Sequence, residues 1–386
     1  MNNLLVTMSG GTTSVINSTL AGIVATAQAS KDVDNIYAGF PGILGFMDGN
    51  LIDLTNITSR ELEVLRLSPG SASIGTTRTK IFDSKDAEEL SKCFKRNNIR
   101  YFINIGGNGT IQQTKAISLF IDDVQMAAVP KTVDNDLGDA NFEELWFTPG
   151  FPSCVNYWYH KMRMLDNESR GASSHDRVLV AQTFGRETGF IAGSMRMYDK
   201  DRKLPLMLLL PEDQQSTESI MSKIDDYLRR FNRVLIGICE GYEIEQYDYN
   251  HDLSGQRMYG SSYSTAMQQM INMCNRNGIQ ARGYNPTVDQ RQNFNYTLDS
   301  DIRTSYNIGE KVVKNLTFGE SHFFQSFSRQ GLCSIPLNDI NNYSRTLKKE
   351  WIDYEHFDVT DDYINYLSEF VSVTAGRKLF TFGRVL

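Results

Sequence analysis

The heptad Pro130-Lys131-Thr132-Val133-Asp134-Asn135-Asp136 holds the densest group of reactive side chains in the chain, directly after an apolar run that ends at Val129. Two carboxylates at this spacing, Asp134 and Asp136, can supply a general base and hold Mg²⁺. The adjacent Lys131 can offset the negative charge of a phosphoryl group. The heptad therefore predicts phosphoryl-transfer chemistry, and the alternative for an Asp-Asn-Asp turn is a solvated loop or a helix cap.

Two glycine-rich turns also follow short apolar runs. The first spans residues 9–14 and contains a Gly-Gly pair, and the second spans residues 105–110 with the run Gly-Gly-Asn-Gly-Thr. Glycines let the backbone approach an anion, and the amino terminus of the helix predicted after each turn offers N–H donors to phosphate. Neither turn matches the P-loop or the dinucleotide fingerprint. Together they favour a phosphorylated ligand, although each alone is compatible with an ordinary tight turn.

Strand-length apolar runs alternate with segments of helical spacing, which predicts an α/β fold with parallel sheets. In such a sheet, turns that follow neighbouring strands share the carboxyl edge where ligands bind. The predicted strands are Leu4 to Met8, Tyr101 to Ile105, Met126 to Val129, Arg177 to Ala181, Leu206 to Leu210 and Val234 to Cys239. The predicted helices are Val15 to Gln28, Asp86 to Asn97, Ile111 to Phe120 and Ser216 to Phe231. The polar stretch from Tyr247 to Gly260 predicts a loop or flap.

Composition limits the functional classes. The 386 residues suggest two domains or one large one, and a net charge of −7 argues against a nucleic-acid partner. With 40% hydrophobic and 22% charged residues, the chain is typical of a folded globular protein. No apolar run reaches the roughly 18 residues of a membrane span, so we expect no membrane partner. The five cysteines form no Cys-x-x-Cys pair, which favours reduced thiols and a cytoplasmic location.

Several motifs of the chain, in their order along the sequence, resemble those of the 6-phosphofructokinases, and in particular those of the pyrophosphate-dependent branch. The heptad is the most specific of them, and the resemblance extends over nearly the whole chain through residues 286–291 and 335–352. The motifs are Gly10-Gly11, Gly75-Thr76-Thr77-Arg78, Gly106-Gly107-Asn108-Gly109-Thr110, Pro130 to Asp136, Thr148-Pro149-Gly150-Phe151 and Phe184-Gly185-Arg186.

The resemblance implies two interleaved three-layer αβα domains with mostly parallel central sheets. Residues 1–150 would form a donor-binding domain to which a C-terminal segment returns, residues 151–320 a sugar-phosphate-binding domain, and residues 321–386 the segment that packs back. The implied reaction is Mg²⁺-dependent phosphoryl transfer from pyrophosphate or ATP to the 1-hydroxyl of fructose 6-phosphate, giving fructose 1,6-bisphosphate. Pyrophosphate is slightly favoured as the donor.

The resemblance also assigns roles to residues. Asp134 would remove the proton of the 1-hydroxyl, Asp136 would assist with metal and charge, and Lys131 and Thr132 would lie along the transferred phosphoryl group. The implied donor-binding residues are Gly10, Gly11, Arg78, Gly106, Gly107, Asn108, Gly109 and Thr110. The implied substrate-binding residues are Arg177, Phe184, Gly185, Arg186, Glu240, Arg282 and Arg291. Arg177 and Arg282 would reach in from a neighbouring subunit, which implies a homodimer or homotetramer.

Two departures from the family keep alternatives open. The family carries an aspartate at the position of Asn108 or of Gly109, and an amide oxygen is a weaker ligand for Mg²⁺ than a carboxylate. Metal binding would then depend on Asp134 and Asp136, and a catalytically weak regulatory paralogue is one alternative. Phe184 replaces the methionine common in the sugar pocket, so a kinase for another phosphorylated sugar or nucleoside is the other.

Overall fold

The computed structural model describes residues 1–70, 72–78, 83–245, 250–251, 255, 257–259, 264–340 and 344–373. Its strands are β1 (Asn3–Met8), β2 (Ile36–Gly39), β3 (Leu51–Asp53), β4 (Ile99–Gly106), β5 (Gln125–Pro130), β6 (Val178–Thr183), β7 (Leu206–Leu209), β8 (Val234–Cys239), β9 (Ala281–Tyr284), β10 (Phe323–Ser328), β11 (Gly331–Pro336), β12 (Ile352–Asp353) and β13 (Asp358–Val359). Its α-helices are α1 (Ile16–Ala29), α2 (Gly42–Met47), α3 (Ser59–Leu67), α4 (Ser84–Arg96), α5 (Asn108–Ser118), α6 (Phe151–Gly171), α7 (Phe190–Ser194), α8 (Thr217–Phe231), α9 (Ala266–Arg276), α10 (Asp289–Gln292), α11 (Asp299–Thr317) and α12 (Asp361–Ser368).

The chain forms two compact units, each assembled from three segments. Unit 1 comprises Met1–Cys154, Tyr249–Met258 and Arg291–Thr346, and unit 2 comprises Val155–Asp248, Tyr259–Gln290 and Leu347–Leu386. Residues 291–346 thus group with unit 1 and residues 347–386 with unit 2. The sequence instead predicts that the return to the first domain begins at residue 321 and includes the chain up to residue 386. The roles of the two units as donor and sugar-phosphate domains stay predictions.

Unit 1 is built on a seven-stranded sheet of order β11-β10-β5-β4-β1-β2-β3. The five inner strands run parallel, and β3 and β11 pair antiparallel at the edges. From β1 the chain moves outward to β2 on one side, and from β4 to β5 on the other. The crevice between the carboxyl ends of β1 and β4 is therefore a topological switch point, the usual ligand site of such sheets.

Helices cover both faces of this sheet. One face buries an aromatic and aliphatic cluster that includes Phe46, Phe94 and Phe102, between the sheet and α2, α4 and α5. On the other face α1 packs against α11 at backbone distance. A Cβ at Gly22 would lie 2.2 Å from the Tyr306 carbonyl oxygen, and one at Gly309 would lie 2.2 Å from the Thr19 carbonyl oxygen. The helix pair therefore requires glycine at both positions.

Unit 2 contains an all-parallel sheet of order β7-β8-β6-β9. Strands β6, β7 and β8 are buried on both faces, as the largely apolar runs of β6 and β8 predict, whereas the edge strand β9 is partly exposed. One face packs on α8 and α9 through side chains such as Ile220, Ile224 and Met270. In the last segment of unit 2, β12 and β13 form a separate antiparallel pair.

The α/β fold with mostly parallel sheets is confirmed, and each predicted strand and helix lies within a few residues of an observed one. Helix α5 begins earlier than predicted, at Asn108, because Gly107 already serves as its N-cap. Arg177, predicted to begin a strand, lies just before β6. Most of the predicted 247–260 loop lies outside the described residues. Among the helices described, none has the length and apolarity to cross a bilayer.

Candidate active site

Three predicted loops lie side by side at the switch point of unit 1. They follow β1, β4 and β5, which are neighbours in the sheet. Backbone bonds continue the pairing into the loops, since Ser9 N donates to Ile105 O at 2.9 Å and Lys131 N donates to Gly106 O at 2.9 Å. Both glycine turns and the heptad are thus brought to one edge of the sheet.

Lys131 stands at the centre of this edge. Its ammonium group is buried and donates a hydrogen bond to the Gly11 carbonyl oxygen. Burial lowers the pKa of Lys131 to about 8, because Asp134 and Asp136 stabilise the charge only in part while Arg291 and Arg78 oppose it. Lys131 therefore lies in the field of two carboxylates and two guanidinium groups, all of them predicted site residues.

The first glycine turn has no space for a side chain at Gly11 and a backbone conformation at Gly10 that favours glycine. Gly10 has a φ of +79°, and a Cβ on Gly11 would lie 2.9 Å from Arg291 Nη1. The turn is paired on its outer side with Thr77, whose carbonyl oxygen accepts from Gly10 N at 3.1 Å and from Ser9 Oγ at 3.0 Å. Arg291, predicted to bind the sugar phosphate, is therefore placed in unit 1 beside the first glycine turn.

The second glycine turn opens helix α5. Gly107 is its N-cap and supplies no side-chain cap, which leaves the helix terminus available to an anion. A Cβ on Gly109 would meet nothing within 4 Å. The Asn108 Oδ1 atom is buried and accepts no hydrogen bond from the described residues. Below the turn, Asn104 joins the strands and helix by accepting from Thr7 at 3.0 Å and donating to Thr114 at 3.2 Å.

The heptad forms a tight, hydrogen-bonded turn after β5. The Thr132 hydroxyl accepts from the Asp134 N–H at 3.1 Å. Asn135 has a φ of 56°, a left-handed conformation that asparagine tolerates better than most residues. Thr132 also pairs with Gly150, so the heptad and the Thr-Pro-Gly-Phe motif run alongside each other.

A buried carboxylate holds the Thr-Pro-Gly-Phe motif. Asp301 accepts from Gly150 N at 3.1 Å, Ser153 N at 3.2 Å and Ser153 Oγ at 2.6 Å. Burial raises the pKa of Asp301 to about 6 in spite of these bonds. Gly150 has a φ of +104° and approaches Thr13, where a Cβ would lie 2.8 Å from the Thr13 Cβ. Asp301 is not among the predicted site residues, because nothing local distinguishes it from the other acids of α11.

Unit 2 brings together four predicted substrate-binding residues. Glu240, after β8, is buried and accepts from the Arg186 N–H at 3.3 Å. Arg186 has a φ of 52°, and Gly185 a φ of +130°. Gln290, which carried no signal of its own, accepts from Phe184 N at 2.9 Å and from Trp158 Nε1 at 3.1 Å. These bonds fix the loop after β6.

The structure does not bring Arg177 and Arg282 to that loop within the chain. Arg177 precedes β6 and Arg282 pairs with Leu179 in register, so both lie at the amino end of the strand. Six residues of strand separate that end from Phe184, roughly 20 Å at about 3.3 Å per residue. Arg282 is 56% exposed and forms a 2.7 Å ion pair with Asp176.

Comparison with known proteins identifies the family. The family model described as Phosphofructokinase matches residues 3–295, about three quarters of the chain. The chain belongs to the phosphofructokinase family. This confirms the resemblance drawn from the motifs.

Curated relatives and solved structures align with most of the chain. The pyrophosphate–fructose 6-phosphate 1-phosphotransferase of Rhodospirillum rubrum is 25% identical over 397 residues, covering 94% of this chain and 93% of that protein. The sulfofructose kinase of Alkalicoccus urumqiensis is 23% identical and covers 88% of this chain and 85% of its own length. The crystal structure of a pyrophosphate-dependent phosphofructokinase from Nitrosospira multiformis has a TM-score of 0.85 at 22% identity, covering 100% of this chain and 94% of that one. This last similarity supports the fold.

The residues of unit 1 fit a divalent cation that is shared with a phosphate ligand. Within the described ranges, no group of three or more His, Cys, Asp and Glu side chains is arranged to hold a metal alone. Asp134 and Asp136 offer carboxylate oxygens, and the buried Asn108 Oδ1 lacks a donor among the described residues. Oxygens of these types suit a hard cation, which would take its remaining ligands from phosphate and water.

Proposed function

We propose that this phosphofructokinase-family protein transfers a phosphoryl group from pyrophosphate to the 1-hydroxyl of fructose 6-phosphate. The observation that carries the proposal is the buried Lys131 between the first glycine turn and the carboxylates Asp134 and Asp136. The names of the full-length relatives support the choice of sugar and donor.

In this reaction the proton of the 1-hydroxyl passes to Asp134 as the hydroxyl oxygen of the sugar attacks phosphorus. The new O–P bond forms, the bridging P–O bond of pyrophosphate breaks, and orthophosphate leaves. Lys131 and the N–H groups at the start of α5 offset the charge on the phosphoryl oxygens. Mg²⁺ held by Asp134 and Asp136, with Asn108 as a further oxygen, would neutralise charge on donor and leaving group.

The sugar phosphate would bind residues of unit 2. Arg186 offers a guanidinium fork suited to phosphate, and Glu240 offers a buried acceptor for a sugar hydroxyl. We infer further that Arg177 and Arg282 serve the site of a neighbouring subunit, because both lie about a strand length from Phe184 in their own chain.

A related sugar is the second candidate substrate. The sulfofructose kinase relative covers 88% of this chain, and Phe184 makes the sugar pocket differ from the methionine-bearing pattern. A kinase for a related sugar is therefore the alternative, with a weak regulatory paralogue as the third.

The test is a matrix of initial rates that crosses pyrophosphate and ATP with fructose 6-phosphate, other sugar phosphates and sulfofructose. We expect the highest kcat/KM for pyrophosphate with fructose 6-phosphate. In Asp134→Asn, loss of the general base should lower kcat by about 10²–10⁴-fold. Asp122→Asn, an exposed acid after α5, is the control and should behave as wild type. Higher kcat/KM with another pair, or full turnover by Asp134→Asn, contradicts the proposal.

A further inference from the structure

Arg345 is a buried arginine of unit 1 whose side chain reaches the heptad turn. Only 2% of it is exposed. Its Nε donates to the Asn135 carbonyl oxygen at 2.9 Å, its Nη2 to Asn135 Oδ1 at 2.8 Å, and its Nη1 to the Leu145 carbonyl oxygen. The guanidinium carbon lies 3.9 Å from the centre of the Phe142 ring. A buried cation with this many directed bonds fixes its partners strongly.

The backbone around Arg345 adds a second attachment. Arg345 N donates to the Asp136 carbonyl oxygen at 2.7 Å, and Ser344 pairs antiparallel with Leu137. The segment at residues 344–345 therefore runs along the end of the heptad. Backbone and side chain of one residue together hold both Asn135 and Asp136.

Asn135 is the point on which these bonds converge. It separates the two carboxylates, has a left-handed φ of 56° and is fully buried. Its Oδ1 also accepts from the Thr148 N–H at 2.9 Å. Because the flanking Asp134 and Asp136 share its backbone, a shift at Asn135 redirects both carboxylates.

The charge of Arg345 is balanced within the same loop. Although partial burial opposes it, the N–H groups of Glu143, Glu144 and Leu145 and the charge of Arg345 lower the pKa of Asp139. Asp139 thus stays ionised near the buried guanidinium. The guanidinium therefore has a counter-charge in the loop that it anchors.

We propose that Arg345 is a positioning residue for phosphoryl transfer: it anchors Asn135 so that Asp134 and Asp136 keep their reactive orientation. The inference rests on the proposed function and adds a residue to which the resemblance assigned no role. Arg345 acts through Asn135, and a misplacement of about 1 Å at a reacting group costs on the order of 10²-fold in rate. The sugar-binding loop of unit 2 lies outside these contacts, so sugar-phosphate affinity should change little.

Steady-state kinetics of three variants test the proposal. Arg345→Met keeps the length of the side chain but removes every side-chain donor, and we expect kcat to fall by about 10–100-fold with the KM for fructose 6-phosphate within about threefold. Arg345→Lys should recover part of the loss. Arg329→Met is the matched control, since Arg329 is exposed and its guanidinium carbon lies 3.8 Å from the centre of the Trp146 ring in the same unit. A folded Arg345→Met with kcat within twofold of wild type overturns the proposal.

Two further measurements separate this inference from the proposed function. If Arg345→Met does not fold, Asn135→Gly keeps the left-handed backbone, removes the Oδ1 acceptor and should show the same kcat-specific loss. Hydrogen exchange of the peptide spanning residues 134–148 needs no turnover, and loss of Arg345 should speed exchange there before it speeds exchange elsewhere. If wild type transfers no phosphoryl group, the proposed function fails, while unchanged exchange in this peptide overturns the anchoring role independently.

Discussion

At the residue scale, the site depends on how a cation is kept among other charges. Lys131 is buried and donates a hydrogen bond to the Gly11 carbonyl oxygen. The charges of Asp134 and Arg291 act on its ammonium group in opposite directions. Its pKa of about 8 makes it charged near neutral pH but titratable just above it. A bound anionic donor favours the charged form and raises the pKa again.

The pKa of Lys131 predicts a pH dependence for donor binding. Above about pH 8 the free enzyme loses the ammonium charge of Lys131, so the KM for pyrophosphate should rise by up to tenfold per pH unit. Below pH 8, Lys131 stays charged and should cause no change in this KM. Lys131→Arg, which stays charged, should lack this rise and serves as the control for ionisation of the donor itself. KM measured from pH 6.5 to 9.5 checks it, and identical profiles for the two enzymes contradict it.

A substitution at Gly109 should change the preference between pyrophosphate and ATP as the phosphoryl donor. A Cβ there meets nothing within 4 Å, so a side chain can start at this position without a clash. Gly109→Asp adds a hard anionic oxygen for Mg²⁺ and fills space beside the donor phosphates, so turnover with pyrophosphate should rise and any turnover with ATP should fall. Gly109→Asn has nearly the same size without the charge and should reproduce only the loss with ATP. Efficient ATP turnover that survives in Gly109→Asp shows that the donor does not pass this residue.

At the element scale, the carboxyl ends of β1, β4 and β5 bring three loops to one edge, and the amino termini of α5 and α6 are held there. Helix α6 depends on Asp301, which lies in the first turn of α11 and accepts from two backbone N–H groups at the start of α6. This helix-to-helix bond positions Gly150 against Thr13.

Asp301 predicts a pH-dependent contribution to stability. Its folded pKa of about 6 lies above the value of 3.8 for an unperturbed aspartate, so the folded state holds a proton that the unfolded state has released. Its contribution is therefore full below about pH 4 and declines by about 3 kcal/mol at most as the pH rises through 6. Relative to Asp301→Asn, wild type should lose unfolding free energy between pH 4 and 7 in denaturant titrations. Asp299→Asn, an exposed acid in the same turn, is the control, and a parallel pH dependence of wild type and Asp301→Asn contradicts the assignment.

The loops of the site follow from sequence because each stands directly after a strand whose apolar run is readable. Parallel neighbours then place Gly10, Gly106 and Lys131 at one edge without any knowledge of side-chain contacts. Arg345 and Asp301 could not be found this way. Arg345 lies 210 residues from Asn135 and belongs to no periodic pattern, so only the folded chain shows the contact.

At the scale of the whole molecule, the predicted site residues are divided between the two units and between two ends of β6. Arg186 and Glu240 lie together, whereas Arg282 lies at the far end of the strand, exposed and paired with Asp176. An arginine at that distance contributes to catalysis only if it serves another copy of the chain.

A subunit-mixing experiment tests this prediction. Arg282→Ala should raise the KM for the sugar phosphate, and Asp134→Asn should lower kcat by about 10²–10⁴-fold, each in its own homo-oligomer. Mixed oligomers should regain activity with normal KM, because some sites combine an intact Asp134 with an intact Arg282 from the neighbour. Arg276→Ala, which removes another exposed arginine of unit 2, should leave KM unchanged. A fully active monodisperse monomer contradicts the shared site.

Phosphoryl transfer from pyrophosphate to the sugar 1-hydroxyl can be followed by ³¹P NMR of wild type with Mg²⁺, pyrophosphate and fructose 6-phosphate. We predict that the pyrophosphate signal declines while orthophosphate and a second phosphomonoester, coupled to the two protons of C1, grow in equal amounts. Adding orthophosphate to fructose 1,6-bisphosphate should regenerate pyrophosphate. Orthophosphate without a new phosphomonoester, or an unchanged spectrum from an enzyme that binds both ligands, would contradict the claim.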